Sequence, residues 1–189
     1  MLNKKILVKS ITNLSEARYC AGMFIDFMSF DLSPDSEYFV TKKKFDEIRG
    51  WVSGVAVLGS LESEDSGIIN QTIEEYNLDG FLFTQYQYSL LPLVNTEIKI
   101  LQWDIEDINF LPDDIEDDVV ILIVSENSIQ EIIPQLRGKM VLQGFSFENV
   151  KYSTDELDGF AFMSSFEKQV GINASGELME AFEYIEDNC

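Results

Sequence analysis

The chain has 189 residues, 46% of them hydrophobic and 25% charged, a composition that suits one domain with a sizeable core. Thirteen basic residues face 34 acidic ones, and the formal net charge of -21 excludes a nucleic-acid binder and an anionic membrane surface, both of which need a basic face. No histidine is present, which removes histidine triads, histidine metal ligands and the usual general base of neutral pH.

Eight short apolar runs follow one another along the chain, at residues 6–11, 24–31, 54–59, 80–85, 98–104, 119–125, 139–145 and 159–164. Each is followed by a polar or amphipathic stretch. Continuous apolar runs of this length read as strands buried on both faces, and their alternation with helices reads as parallel βαβ units. Eight units predict a closed (β/α)8 TIM barrel as a single domain spanning residues 1–189. The barrel must be compact, because 189 residues is short for eight units.

Between the runs, Asn13 or Ser15 caps a first helix that stops at Gly22, with Glu16 in its first turn. Thr41 caps a second over 42–52, with Phe45, Ile48 and Val52 on one face. Ser66 or Gly67 opens a third, which aligns Ile69, Ile73 and Tyr76. The fourth and fifth connections, 86–97 and 105–118, contain Pro92 and Pro112, so these helices are expected to be short or irregular. Ser128 caps a sixth helix ending at Gly138, Ser146 a seventh over 147–156, and Asn173 or Ser175 the last over 176–187. The N-terminus runs straight into the first strand without a signal-peptide pattern, and no apolar stretch is long enough to span a bilayer. A cytoplasmic protein is expected. Two cysteines, Cys20 and Cys189, provide no disulfide framework.

Chemistry in such a barrel sits at the C-terminal ends of the strands. Lys9 ends the first apolar run. It can serve as an imine-forming or general-base lysine, or as a cation for an anionic ligand. A structural ion pair competes with these roles. A buried ammonium needs a partner, and Asp31 and Asp104 at other strand ends are the first candidates. Trp103, Tyr38 and Tyr86 are candidate pocket aromatics, although aromatics more often pack. Asp104, Glu106 and Asp107 form an acidic run without metal-ligand spacing, so no metal site is expected.

Residues 7–17, Leu-Val-Lys-Ser-Ile-Thr-Asn-Leu-Ser-Glu-Ala, resemble the first strand and helix start of phosphoribosylanthranilate isomerase, Lys-Ile-Cys-Gly-Ile-Thr-Asn. Ser33-Pro34 and Tyr38-Phe39-Val40 are similar to that family's Ser-Pro-Arg-Tyr-Val loop. Residues 54–58 resemble its third strand, residues 143–150 its Gly-Gly-Leu-x-Pro-Glu-Asn-Val, and residues 163–167 its Val-Ser-Ser-Gly-Val-Glu. The matches are individually weak but collinear over nearly the whole chain. The resemblance implies a (β/α)8 barrel and an Amadori rearrangement in tryptophan synthesis, which needs no cofactor. It also implies a phosphate site at Gly144, Ser164 and Ser165, and so a small phosphorylated metabolite as ligand; Lys168 is a further candidate cation there.

The departures fall on the chemistry. Lys9 stands where the resemblance implies the catalytic cysteine, and Ser10 where it implies a glycine. Ile123, Val124 or Ser125 stands where it implies the aspartic general acid. Tyr38 and Gln102 replace arginines, Thr84 a histidine, and Gln143 the first glycine of a pair. The rearrangement needs one group to take a proton from carbon and another to protonate the ring oxygen. The expectation is therefore a divergent isomerase-like barrel with lost or altered activity that keeps a small-molecule site at its C-terminal face. The alternatives are an active isomerase that uses Lys9 with another carboxylate, and a non-catalytic module whose acidic surface docks a basic partner.

Overall fold

The computed structural model describes residues 4–104, 106–107, 111–124, 129, 136, 138–144, 157–164 and 175–188. Eight strands close into a barrel in chain order: β1 (Lys5–Lys9), β2 (Phe27–Asp31), β3 (Ala56–Ser60), β4 (Gly80–Thr84), β5 (Ile98–Asp104), β6 (Val120–Val124), β7 (Val141–Gly144) and β8 (Gly159–Met163). Every neighbouring pair is parallel, and β1 closes the ring by pairing with β8. The expected (β/α)8 architecture is the one the chain adopts.

The two faces of each strand divide the core in two. Leu7, Leu58, Leu82, Ile100, Val120, Leu122, Leu142 and Ala161 form the cluster inside the barrel, with Phe27 and Ile98 against it. The alternate residues point outward and pack under the helices; they include Ile6, Val8, Phe30, Phe81, Phe83, Trp103, Ile123 and Phe162. Two-sided burial is why the strands read as unbroken apolar runs.

Helix α1 (Leu14–Gly22) starts at Asn13, whose Oδ1 accepts from the Glu16 amide at 2.9 Å. Helix α2 (Lys42–Arg49) is capped by Thr41 and ends three residues earlier than the apolar spacing suggests. Val52 still packs in the core, but from the loop that follows. Helix α3 (Ser66–Tyr76) is capped by Asp65, whose carboxylate takes the Gly67 amide at 2.7 Å. A carboxylate one residue earlier thus does the work expected of Ser66 or Gly67. The fourth connection is a 3-10 helix (Gln85–Leu93) containing Pro92. Of the fifth, Glu106 and Asp107 lie in a 3-10 turn, and 111–118 hold turns and no helix. Both irregular connections are therefore where the prolines place them. Helix α4 (Ser175–Asn188) closes the chain. The expected sixth helix falls mostly, and the seventh wholly, outside the described residues.

One device recurs at the N-terminal rim. Asp26, Asp79 and Asp158 each precede an even-numbered strand. Each accepts, through Oδ2, the backbone amide of the preceding odd strand: Ile6 at 3.0 Å, Val57 at 2.8 Å and Val141 at 2.7 Å. Each also donates its own amide to that same residue's carbonyl. Asp79-Gly80-Phe81 and Asp158-Gly159-Phe160 repeat the same tripeptide at opposite strands. The glycines are needed for space. A Cβ on Gly80 would sit 2.5 Å from the Ile98 carbonyl oxygen, and one on Gly159 would press into that of Lys5.

Candidate functional site

Strand alternation carries the inward face from the apolar interior to the mouth. Two residues beyond Leu7, Leu58, Leu82 and Ile100 stand Lys9, Ser60, Thr84 and Gln102. Beyond Leu122, Leu142 and Ala161 stand Val124, Gly144 and Met163. The polar residues of the C-terminal end are thus the next layer above a dry leucine-rich one.

Lys9 reaches across this layer. Its Nζ donates to Oε1 of Gln102 at 2.8 Å, joining β1 to β5, the strand opposite it in the ring. Burial lowers its pKa from 10.5 to about 8. The expected carboxylate partner is not there: among the described residues Lys9 makes no ion pair. Asp31 turns its Oδ1 to the Ser33 amide at 3.0 Å, and Asp104 to the Glu106 amide at 2.9 Å. Each carboxylate accepts the amide two residues further along its own loop, and the ammonium is left with a neutral amide oxygen.

Ser10, next along, has a left-handed backbone (φ 57°), the conformation for which the implied glycine is suited. Its carbonyl accepts from Ser164 Oγ at 2.7 Å, and the Ser164 amide donates to the Lys9 carbonyl at 2.8 Å. Ser164 is buried, and both its donors are committed to holding β8 against β1. Gly144 lies at the inner end of β7, where an added Cβ would meet nothing closer than 3.7 Å. Ser165 and Lys168, the other candidates for the phosphate site, lie outside the described residues.

Two adjoining hollows open at this face. One of about 650 Å³ is lined by Asp31, Asp35, Ser60, Glu62, Glu64, Thr84, Tyr86 and Gln87, among others. The other, of about 180 Å³, is lined by Thr84, Gln85, Tyr86, Gln102, Asp104 and Val124. Gln87 fastens the loops around the larger one. Its Nε2 donates to the carbonyls of Leu61 and Ser63 at 2.9 and 2.7 Å, and its Oε1 accepts the Thr84 amide at 3.1 Å. Of the three candidate pocket aromatics only Tyr86 borders these hollows. Trp103 lies on the outer face, its indole N–H donated to the Asp107 carbonyl at 2.9 Å, and Tyr38 lines neither. Among the described residues no cluster of three ligating side chains could hold a metal ion. The acidic lining from Asp35, Glu62 and Glu64 was missed in the sequence; its signal was polar residues just past the second and third apolar runs.

The barrel matches solved structures over nearly its whole length. That of phosphoribosylanthranilate isomerase from Thermotoga maritima superposes with a TM-score of 0.76 at 15% identity, covering 98% of this chain and 100% of that one. The fold is that of phosphoribosylanthranilate isomerase. The Thermus thermophilus enzyme gives a TM-score of 0.73 at 13% identity, with 97% of this chain and 98% of that one covered. A phosphoribosylanthranilate isomerase in complex with reduced 1-(o-carboxyphenylamino)-1-deoxyribulose 5-phosphate gives 0.73 at 14%, with 97% and 99% covered. No family model matches the sequence, and no curated protein matches it. Of the three residues that compete for the isomerase's acid position, Ile123 points outward into the core, Ser125 is outside the described residues, and Val124 faces the mouth.

Proposed function

We propose that this chain is a divergent phosphoribosylanthranilate isomerase-like barrel that has lost or changed the isomerase activity and keeps a small-molecule site at its C-terminal face. The observation that carries this reading is Val124. It is the inward residue at the end of β6 and borders the small hollow, where a valine can neither donate nor accept a proton. Lys9 in the cysteine's place supports it. At pH 7 an amine with a pKa of about 8 is mostly protonated, so little of it is available as a base. Gly144 leaves open space at the end of β7, and a neighbouring structure was solved with a 5-phosphate compound bound. A small phosphorylated metabolite is the ligand class that this suggests.

The alternative, an active isomerase, has one observation in its favour. Asp104 pairs in register with Val124 and borders the same hollow as Gln102, to which Lys9 is bonded. It is the carboxylate such an enzyme would use. Purified protein given phosphoribosylanthranilate separates the two readings. No turnover is expected, and the chain is expected not to rescue a tryptophan auxotroph that lacks the isomerase. Rescue at ordinary expression would establish the active enzyme instead.

A further inference from the structure

We propose that the mouth of the barrel is a carbonyl-binding site in which Lys9 forms an imine with a small aldehyde or ketone. The inference rests on the reading of this face as a small-molecule site and gives that site a chemistry. Three features carry it. The amine projects from the end of β1 across the mouth, half-buried, above an apolar layer that excludes water from beneath. Among the described residues it makes no ion pair, and its one hydrogen bond is to the neutral oxygen of Gln102. Gln102 in turn lines a hollow of about 180 Å³, room for a compound of a few heavy atoms, with Thr84 and Asp104 on its walls. An ammonium locked to a carboxylate stays protonated; one held by an amide in a half-buried place is free to lose its proton, and burial here lowers its pKa to about 8.

The step balances without an oxidant or reductant. The amine lone pair attacks the carbonyl carbon and forms the C–N bond, while the carbonyl oxygen takes a proton. In the resulting carbinolamine the C–O bond then breaks: the hydroxyl leaves as water with the second amine proton, and the nitrogen lone pair closes the C=N bond. Thr84 and Asp104 share the wall of this hollow with Gln102, the hydrogen-bond partner of Lys9, and supply a hydroxyl and a carboxylate to carry protons in the step.

Reductive trapping tests this. Intact protein at pH 7.5 is incubated with glycolaldehyde or dihydroxyacetone, each in the presence of cyanoborohydride, and the modified lysine is located by peptide mass mapping. At pH 7.5 an amine of pKa about 8 holds roughly 200 times more neutral form than one of 10.5. Burial and lower nucleophilicity take back part of that. Lys9 is therefore expected to be labelled at least about tenfold faster than the surface residue Lys43 by one of the two probes. Lys9→Arg keeps the positive charge but has no amine, and its circular dichroism reports the fold. This folded variant should lose the fast phase and keep the slow surface labelling. Labelling of Lys9 no faster than Lys43 by both probes would overturn the proposal, as would a fast phase that survives in folded Lys9→Arg. Isomerase turnover is read separately, so a failure of the lost-activity reading leaves a different signature from a failure of imine formation.

Discussion

Replacing Lys9 with methionine is expected to stabilise the protein at neutral pH, and to do so less and less as the pH rises. The lysine loses its proton near pH 8 when folded and near 10.5 when unfolded. Below pH 8 it is charged in both states, and the folded state carries the whole cost of holding an ammonium away from water. That cost, from the gap between the two pKa values at about 1.4 kcal/mol per pH unit, is roughly 3 kcal/mol. Between pH 8 and 10.5 the folded protein releases the proton while the unfolded chain keeps it, so the wild type gains stability through that window. Methionine matches the stem and carries no charge. It gives up the hydrogen bond to Gln102, worth about 1 kcal/mol, and the freed amide oxygen borders a hollow that water can enter. The net gain at pH 7 is about 2 kcal/mol, or roughly 4–8 °C in Tm for a chain of this size. Denaturant unfolding of both proteins at pH 7, 8.5 and 10 measures it. The raised tyrosines Tyr19, Tyr38, Tyr76 and Tyr88 also titrate at high pH, but they are common to both proteins and cancel in the difference. A variant less stable than wild type by 3–5 kcal/mol at pH 7, as expected of a broken buried ion pair, would refute the reasoning. So would two stability curves that stay parallel from pH 7 to 10.

Gly159→Ala should cost at least about 3 kcal/mol, or prevent folding, because the new methyl presses into the Lys5 carbonyl and lies 2.7 Å from Leu142 Cδ2; circular dichroism and expression yield will show it. Ser10 offers a contrast in sign. Ser10→Gly should raise stability by about 0.5 kcal/mol, left-handed strain relieved less chain entropy, whereas Ser10→Val should lower it by at least about 1 kcal/mol; urea midpoints compare the two. Asp79→Ala removes the acceptor of the Val57 amide and the partner of Arg49 at 3.1 Å, and should cost about 1–2 kcal/mol in the same urea assay.

The fold was legible because its signal is local and repeated. Each strand announces itself as an apolar run, and Pro92 and Pro112 mark the two irregular connections. Side-chain direction was legible too, to anyone counting parity. Trp103 shares its face with Leu101 and therefore packs outward, while Gln102 and Asp104 share theirs with Ile100 and face the barrel axis. The partner of Lys9 was not legible. It lies 93 residues away on the opposite strand. Which of Asp31, Gln102 and Asp104 the ammonium meets depends on the stagger of strands around the ring, and on two aspartates each finding an amide within two residues of themselves. Both are tertiary facts, and the second is a local competition that an ion-pair argument from charge alone leaves out.

The contact between Lys9 and Gln102 also bears on what the isomerase chemistry would require at this mouth. The resemblance places a cysteine at position 9 and an arginine at position 102. Here the positive charge stands at 9 and the neutral group at 102, and the two side chains meet at 2.8 Å over the barrel axis. A thiol becomes a base only as a thiolate, which needs a nearby cation. Lys9→Cys alone would remove the cation and install the thiol beside a neutral amide, with Asp31 and Asp104 adding negative charge to the same face. Such a thiol stays protonated. Gln102→Arg alone would set two cations against each other across the mouth. Only the pair of changes would set a cation beside a thiol, and Val124, one of the three residues that compete for the implied acid position, has no proton to give. The mouth thus sets the Lys9 amine against the neutral side chain of Gln102, where the resemblance implies a thiol and a cation.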